Sequence, residues 1–472
     1  MQLNVFNKTF VSKQRARLPF AVFLTASSLL CASPAGDDGT GGGRQNVIYV
    51  QTNDFRSGQN SVIAYKTNNG NGCLQELGRF PTGGTGLYNF DDRIGPDDHA
   101  QELVIDRVNR RLLTVNSGSD SIAVFDIKPN GTLTPVSGSP FPSNGVQPVS
   151  IGLAANGVVY VVNQAGDPNR VLPGANPNYT GFRMQSNGAL VPIANSTFSL
   201  PHLSFPAQAL TRPDGNLLFG DVFLGRPFTP QLAPFLPAAG SFLDSFRIQP
   251  NGQLQQAPGS PVTPNVNAQA GLGIPDSRYV LGMWLHPTLP IVYATYVVTN
   301  RLAVYTYNPD GTLQFVQDLP IGPNDGSAVT VCWVIVSPDG RFIYTSNAGS
   351  NSISVFDISG TVMPASSPLS PVLIQVFRMT IPAGAGGAVP PAPIPGVFNS
   401  PTASFQIETD PEGKSFYAVA HELVPGNDYP QGNVVHSLTI NQQNGTLSER
   451  ACSPVQVTGI PAGAHPQGIA AY

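Results

Sequence analysis

Short apolar runs alternate with polar turn signals along almost the whole chain. The stretch "SPDGRFIYTSNAGSNSISVFDISG", from Ser337 to Gly360, shows the pattern: a Pro-Asp-Gly turn, an apolar run, a polar turn, a second run and a small-residue turn. "DRVNRRLLTVNSGSDSIAVFDIKPNG", beginning at Asp106, is a near copy. The runs are short and rich in β-branched and aromatic residues, which predicts strands rather than helices.

The same unit recurs. A small turn followed by a hydrophobic residue falls at Asn71-Gly72, Asn130-Gly131, Asn187-Gly188, Asn251-Gly252, Asp310-Gly311, Ser359-Gly360 and Asn444-Gly445. Asn-Gly and Asp-Gly supply the positive φ of tight hairpins. An apolar run ending in a turn precedes each, as in "FPAQALTRPDG", "VLGMWLHPTLP", "VCWVIVSPDG" and "FQIETDPEG". Each unit therefore predicts four strands. The last residues, "HPQGIAAY", match the first strand of the other units ("HAQELVID"), whereas no such strand precedes "NVIYVQTN" at Asn46. A terminal strand that completes the first unit closes a ring of sheets and removes free edges. The expectation is an all-β, seven-bladed β-propeller over 45–472, its C-terminal strand completing blade 1.

Composition agrees. The chain of 472 residues holds 49 Gly and 46 Pro, only 11% charged residues and a net charge of −4. That disfavours long helices and excludes a basic nucleic-acid-binding face. At the N-terminus Lys8, Lys13, Arg15 and Arg17 precede an apolar run from Leu18 to Leu30, with small residues after it. This reads as a signal peptide over 1–35 and a Gly-rich linker over 36–44, giving a secreted or periplasmic protein with no transmembrane segment. Cys31 ends the run and leaves lipid anchoring as the alternative, although the bulky Leu30 precedes it. Cys73 and Cys452 fall in the first and last units, so a closing disulfide and separate thiols, with Cys332, are both open readings. No zinc spacing, phosphate-binding loop, dinucleotide fingerprint or Gly-x-Ser-x-Gly motif occurs. No cofactor or metal is expected, and the protein reads as a monomer. The acidic run Asp91, Asp92, Asp97 and Asp98 has hard oxygens for calcium but no EF-hand spacing, and reads as a solvated loop.

In such a propeller, turns between first and second strands lie on one face, and loops between second and third strands on the other. The insertions at 81–98, 164–179, 223–240, 258–278, 366–400 and 422–433 all fall on the second face. One-sided elaboration marks it as the functional face. First strands line the central channel and begin at this mouth. Aligned, they place His465, Gln467, His99, Gln101, Glu102, Gln147 and Gln208 on one side of the mouth and apolar residues on the other, as in a small-molecule site. His99 and Glu102 form a candidate base and orienter. Their odd spacing points them to opposite faces of a regular strand, so they converge only across a bulge. Asp221 and Arg226 flank the blade 4 insertion, where an Arg could hold a carboxylate. His421 ends a strand on the same face. His286, in a turn on the other face, reads as structural.

"SPDGRFIYTSNAGSNSISVFDI", "HPTLPIVYATY" and "HPQGIAAY" resemble the seven-bladed lactonase family, which includes 6-phosphogluconolactonases and carboxymuconate cyclases. The resemblance covers nearly all of 45–472. It implies a propeller acting on a lactone or carboxylate, as a hydrolase or cycloisomerase in carbohydrate metabolism. "DVFLGR" keeps the family's Asp and Arg as Asp221 and Arg226. Where the family carries paired His in blade 4, this chain has Phe205 and Ala207, with Gln208 matching; Val297 stands where an Arg is expected. The residues thus nominate His99, Arg226 and His421 as catalytic. Gln101, Glu102, Gln147, Gln208, Asp221, His465 and Gln467 are nominated as binding. The alternative is a non-catalytic propeller that binds a ligand, glycan or protein through the loop-rich face.

Overall fold

The structure is a computed structural model. It describes residues 46–472 apart from 69–70, 89–98, 155, 167–174, 203, 225–239, 265–278, 384, 386–398, 423–431 and 462. The expected signal peptide, linker, Cys31 and acidic run lie outside the described residues.

Seven antiparallel sheets follow one another along the chain. Blade 1 is built from Val47–Gln51, Ser61–Thr67 and Leu74–Pro81, and its innermost strand is the C-terminal Gln467–Ala471. Innermost to outermost, blade 2 runs Leu103–Asp106, Arg111–Asn116, Ser121–Ile127 and Leu133–Pro135. Blade 3 runs Pro148–Leu153, Val158–Asn163, Asn178–Met184 and Leu190–Pro192. In blade 4 the innermost strand is broken into Ser204–Pro206 and Leu210–Thr211, ahead of Leu217–Leu224, Gly240–Ile248 and Leu254–Gln256. Blade 5 holds Val280–Leu285, Ile291–Tyr296, Arg301–Tyr307 and Leu313–Pro320. Blade 6 holds Val331–Val336, Phe342–Asn347, Ser352–Asp357 and Val372–Arg378. Blade 7 holds Thr402–Thr409, Ser415–Glu422, Val434–Ile440 and Leu447–Glu449.

The fold is the expected propeller, with the expected closure. Tyr472 and Val47 exchange both backbone hydrogen bonds, at 3.2 and 2.8 Å. A Cys73–Cys452 disulfide ties blade 1 to blade 7 at the outer rim, while Cys332 is buried in the core. The pairing decides between the two readings of the cysteines. One detail differs from four strands per unit. In blades 2, 3 and 7 a second short segment (Phe141–Pro142, Phe198–Ser199, Val455–Gln456) also pairs with the third strand. The outermost strand is thus split by a turn, with Gly138 and Asn195 at positive φ in two of the three cases.

The hairpin turns that mark the repeat have a second use. A buried donor of one blade reaches a backbone carbonyl in the outer turn of the next. Tyr49 Oη donates to Gly131 O (2.8 Å), Tyr160 to Gly252 (2.8 Å), Tyr344 to Gly445 (3.1 Å) and Tyr293 to Pro368 (2.8 Å). Ser245 Oγ donates to Gly311 O at 2.6 Å and Ser437 Oγ to Gly72 O at 3.3 Å. At the blade 2–3 junction Arg111 does the same to Gln185 and Ser186, at 3.3 and 2.7 Å. All seven junctions are therefore latched. The turn must approach its neighbour closely: at Gly445 (φ +72°) an added Cβ would lie 2.4 Å from the Phe342 ring.

The innermost strands share an irregularity at one height. Register shifts occur at Val50/Gln51 against Gln467–Ala471, at Val162/Asn163 against Pro148–Leu153, and within the first strands of blades 5, 6 and 7. In blade 4 the strand is interrupted at this height, and in blade 2 Gln101, two residues before the strand, has φ +65°. Bulges re-aim side chains, and here they interrupt the regular alternation of the first strands around the ring.

Candidate functional site

The kink at Gln101 brings together the pair that regular alternation would separate. His99 Nδ1 and Glu102 Oε1 lie 2.6 Å apart, with His99 2% and Glu102 1% exposed. Two side chains from across the channel hold this segment. Trp333 Nε1 donates to the His99 carbonyl at 2.8 Å, and Gln406 Nε2 donates to the same carbonyl at 2.7 Å and to Glu102 Oε2. Burial raises the Glu102 carboxyl above its ordinary range, opposed by the hydrogen bonds from His99 and Gln406. A buried carboxylate that holds one ring nitrogen fixes the orientation of the imidazole and stabilises its protonated form.

His421 joins the same assembly through aromatic contacts. Trp333 and Phe405 have centroids 4.8 Å apart, and Phe405 stacks on His421 at 3.8 Å. His421 stacks in turn on His465 at 4.9 Å, and its Nε2 meets the Pro466 carbonyl. His99 and His421 are thus linked by packed side chains at the loop-rich end of the channel, with His465 partly exposed above them. Gln467 is buried beside them on the closing strand and makes no side-chain hydrogen bond among the described residues.

The remaining sequence candidates hold backbone. Gln147 accepts from the Gly166 amide at 2.8 Å and donates to Gln164 at 3.2 Å. Gln208 accepts from the Met283 amide at 2.7 Å and donates to the Met283 carbonyl at 3.1 Å and to Gln101 Oε1 at 2.7 Å. Asp221 is buried, with Oδ2 accepting from the Gly282 amide at 2.7 Å; burial pushes its carboxyl up to about 6 against that and neighbouring amides. Arg226 lies outside the described residues. His286 accepts the Thr288 and Leu289 amides through Nδ1, at 3.2 and 3.1 Å, the expected turn role.

Among the described residues the polar candidates divide between these separate contacts rather than gathering along one wall of the mouth, as alignment of the strands suggested. Bulges divert them, and the described apolar residues at that end, including Phe205, Phe223, Tyr279, Leu281 and Phe405, form one buried cluster. An open cavity of ≈ 690 Å³ occupies the other half of the channel. It is lined by Gln101, Gln208, Gln406 and Trp333, but by neither His99 nor Glu102, and is rimmed by the short turns at Arg107, Pro287, Pro338 and Pro411. Among the described residues, no group of three or more His, Cys, Asp or Glu is placed to hold a metal, and no helix is long and apolar enough to cross a membrane.

The fold is a seven-bladed β-propeller, and part of the chain matches a lactonase family model. Residues 278–366, blade 5 and most of blade 6, match the family model described as "Lactonase, 7-bladed beta-propeller". The chain is similar in fold to a "putative 6-phosphogluconolactonase" of Bacteroides fragilis, with 14% identity, a TM-score of 0.59, and 92% of this chain and 100% of that one covered. It is similar to a periplasmic gluconolactonase of Pseudomonas aeruginosa, with 14% identity, a TM-score of 0.58, and 90% and 99% covered. A hypothetical selenium-binding protein of Sulfolobus tokodaii has the fold too, with 14% identity, a TM-score of 0.56, and 90% and 93% covered. No curated protein matches the sequence.

Proposed function

We propose that the chain is an exported lactonase-like enzyme that opens or closes a lactone ring at the loop-rich end of the channel. The observation that carries this reading is the buried His99–Glu102 pair at 2.6 Å, which a left-handed residue creates and two cross-channel donors secure. A surface ion pair requires none of that support. In the hydrolytic direction His99 takes a proton from water as its oxygen attacks the lactone carbonyl. The ring C–O bond then breaks, and the proton passes to the departing alkoxide. Glu102 keeps the imidazole oriented and offsets its positive charge. Arg226 is assigned to the substrate carboxylate or the developing oxyanion, and His421 and His465 to the substrate's polar groups. Gln147, Gln208 and Asp221 act as positioning residues.

Export is supported by the N-terminal pattern and by the Cys73–Cys452 disulfide, since such bonds persist in oxidising compartments. A periplasmic gluconolactonase with this fold is consistent with it. The test is turnover of a panel of sugar lactones and carboxylated lactones by the purified protein. Activity should fall by about 10²–10⁴ in His99→Ala, the usual worth of a positioned proton-transfer group, with a native melting profile. Inactivity of the folded wild type on every lactone would leave only the ligand- or partner-binding reading.

A further inference from the structure

We infer that the cavity on the short-turn face is a second small-molecule site, built for a neutral phenol-like ligand. This goes beyond the lactone site, from which Gln101, Gln208 and Gln406 divide it at mid-channel. Its volume of ≈ 690 Å³ falls within the range of sites that enclose small ligands, about 300–1,000 Å³.

The lining has two parts. The walls are apolar, formed by Val104, Leu153, Leu210, Trp284 and Ile335 along the outer halves of the innermost strands. Both tryptophans of the chain, Trp284 and Trp333, line this cavity. Trp333 is held by its bond to His99 O, so one indole is immobile before any ligand arrives. Flat, fixed aromatic surfaces favour an aromatic guest. The floor is amide. Gln208 and Gln101 are joined at 2.7 Å across the channel, and Gln406 is anchored through its Nε2. The Gln101 Nε2 and Gln406 Oε1 make no hydrogen bond among the described residues, leaving one donor and one acceptor for a hydroxyl group, which needs both.

Charge selects against an anion. Asp106, Glu408 and Asp410 line the cavity. The one Arg there, Arg107, donates to the Ala471 carbonyl at 2.5 Å. Among the described residues the amide floor carries no cation to receive a carboxylate, and the basic groups of the lining, Arg107 and His286, belong to the short turns at the rim. A neutral ring with a hydroxyl head fits these surfaces; the same ring with a carboxylate does not.

The experiment is calorimetric titration of the disulfide-intact protein with para-ethylphenol, para-ethylbenzoate and ethylbenzene, with tryptophan fluorescence as a second readout. Saturable binding of para-ethylphenol with a tryptophan response is expected, at least about tenfold tighter than for the other two. Val104→Phe and Leu153→Phe, made separately and each checked for a native melting profile, should weaken it at least about tenfold by filling the cavity. Absence of saturable para-ethylphenol binding overturns the inference. So does equal binding of all three compounds, or affinity unchanged in both folded variants. Because binding is read without turnover, an inactive lactone site leaves these outcomes intact.

Discussion

At φ +65° the Gln101 backbone occupies the left-handed region, where a side chain with a Cβ is crowded by the following carbonyl. That conformation rotates Glu102 onto the same side as His99. Gly should adopt it freely and a β-branched residue should not. We expect Gln101→Val to be less stable than Gln101→Gly by about 1–2 kcal/mol. Both variants lose the hydrogen bond to Gln208, so the difference in chemical denaturation isolates the backbone term. Gln101→Val should also show lower lactone turnover than Gln101→Gly, because the pair opens. Equal stability would mean the kink carries no constraint. The candidates were legible in the sequence as residue types at a channel mouth, but their grouping was not. Alternation assigns His99 and Glu102 to opposite faces, and nothing in "HAQELVID" announces a Gln with positive φ. The reach of Trp333 and Gln406 to blade 2 depends on bulges that a single sequence does not display.

At the scale of elements, the hairpin turns were the most legible feature, and the latches explain why they recur. Removing a latch hydroxyl leaves a carbonyl buried without a partner, which costs about 1–3 kcal/mol. Tyr160→Phe, which deletes the 2.8 Å bond to Gly252, should lower stability by that amount with little change in lactone turnover. Urea denaturation followed by circular dichroism measures the first, and an unchanged midpoint would contradict the latch. The turn residues could be read because positive φ selects a short list of residue types. The tyrosine and serine donors could not, since they sit in apolar runs where an aromatic or small residue reads simply as core.

At the scale of the molecule, ring closure was foretold by the displaced terminal strand, and the disulfide was one of two open readings. Cys73→Ser with Cys452→Ser should lower stability by about 2–5 kcal/mol while the strand closure still folds the ring. A thermal scan with and without reductant gives the same comparison in the wild type, and coincident midpoints would contradict it. The pH dependence follows from buried carboxyls. Desolvation raises Asp221 to about 6, Asp244 to about 7 and Glu408 to about 7. As pH rises through roughly 4 to 7, the folded chain retains protons that the unfolded chain has released, so stability falls across that window. Asp357 and Glu449 act in the other direction. Despite desolvation, their hydrogen bonds hold both down to about 2, and their contribution is lost as pH falls toward that value. The thermal midpoint should therefore be higher at about pH 5 than at about pH 8; the reverse order would contradict the balance.

The proposed role of His99, oriented by Glu102, is proton transfer in lactone chemistry. Its most direct test is the kcat and KM of wild type, His99→Gln and Glu102→Gln on an active lactone. We expect kcat reduced by about 10²–10⁴ in His99→Gln and substantially in Glu102→Gln. KM should stay close to wild type, and the acid limb of the wild-type pH profile should lie above the ordinary carboxylate range because Glu102 is raised. A folded His99→Gln variant with wild-type kcat would contradict it.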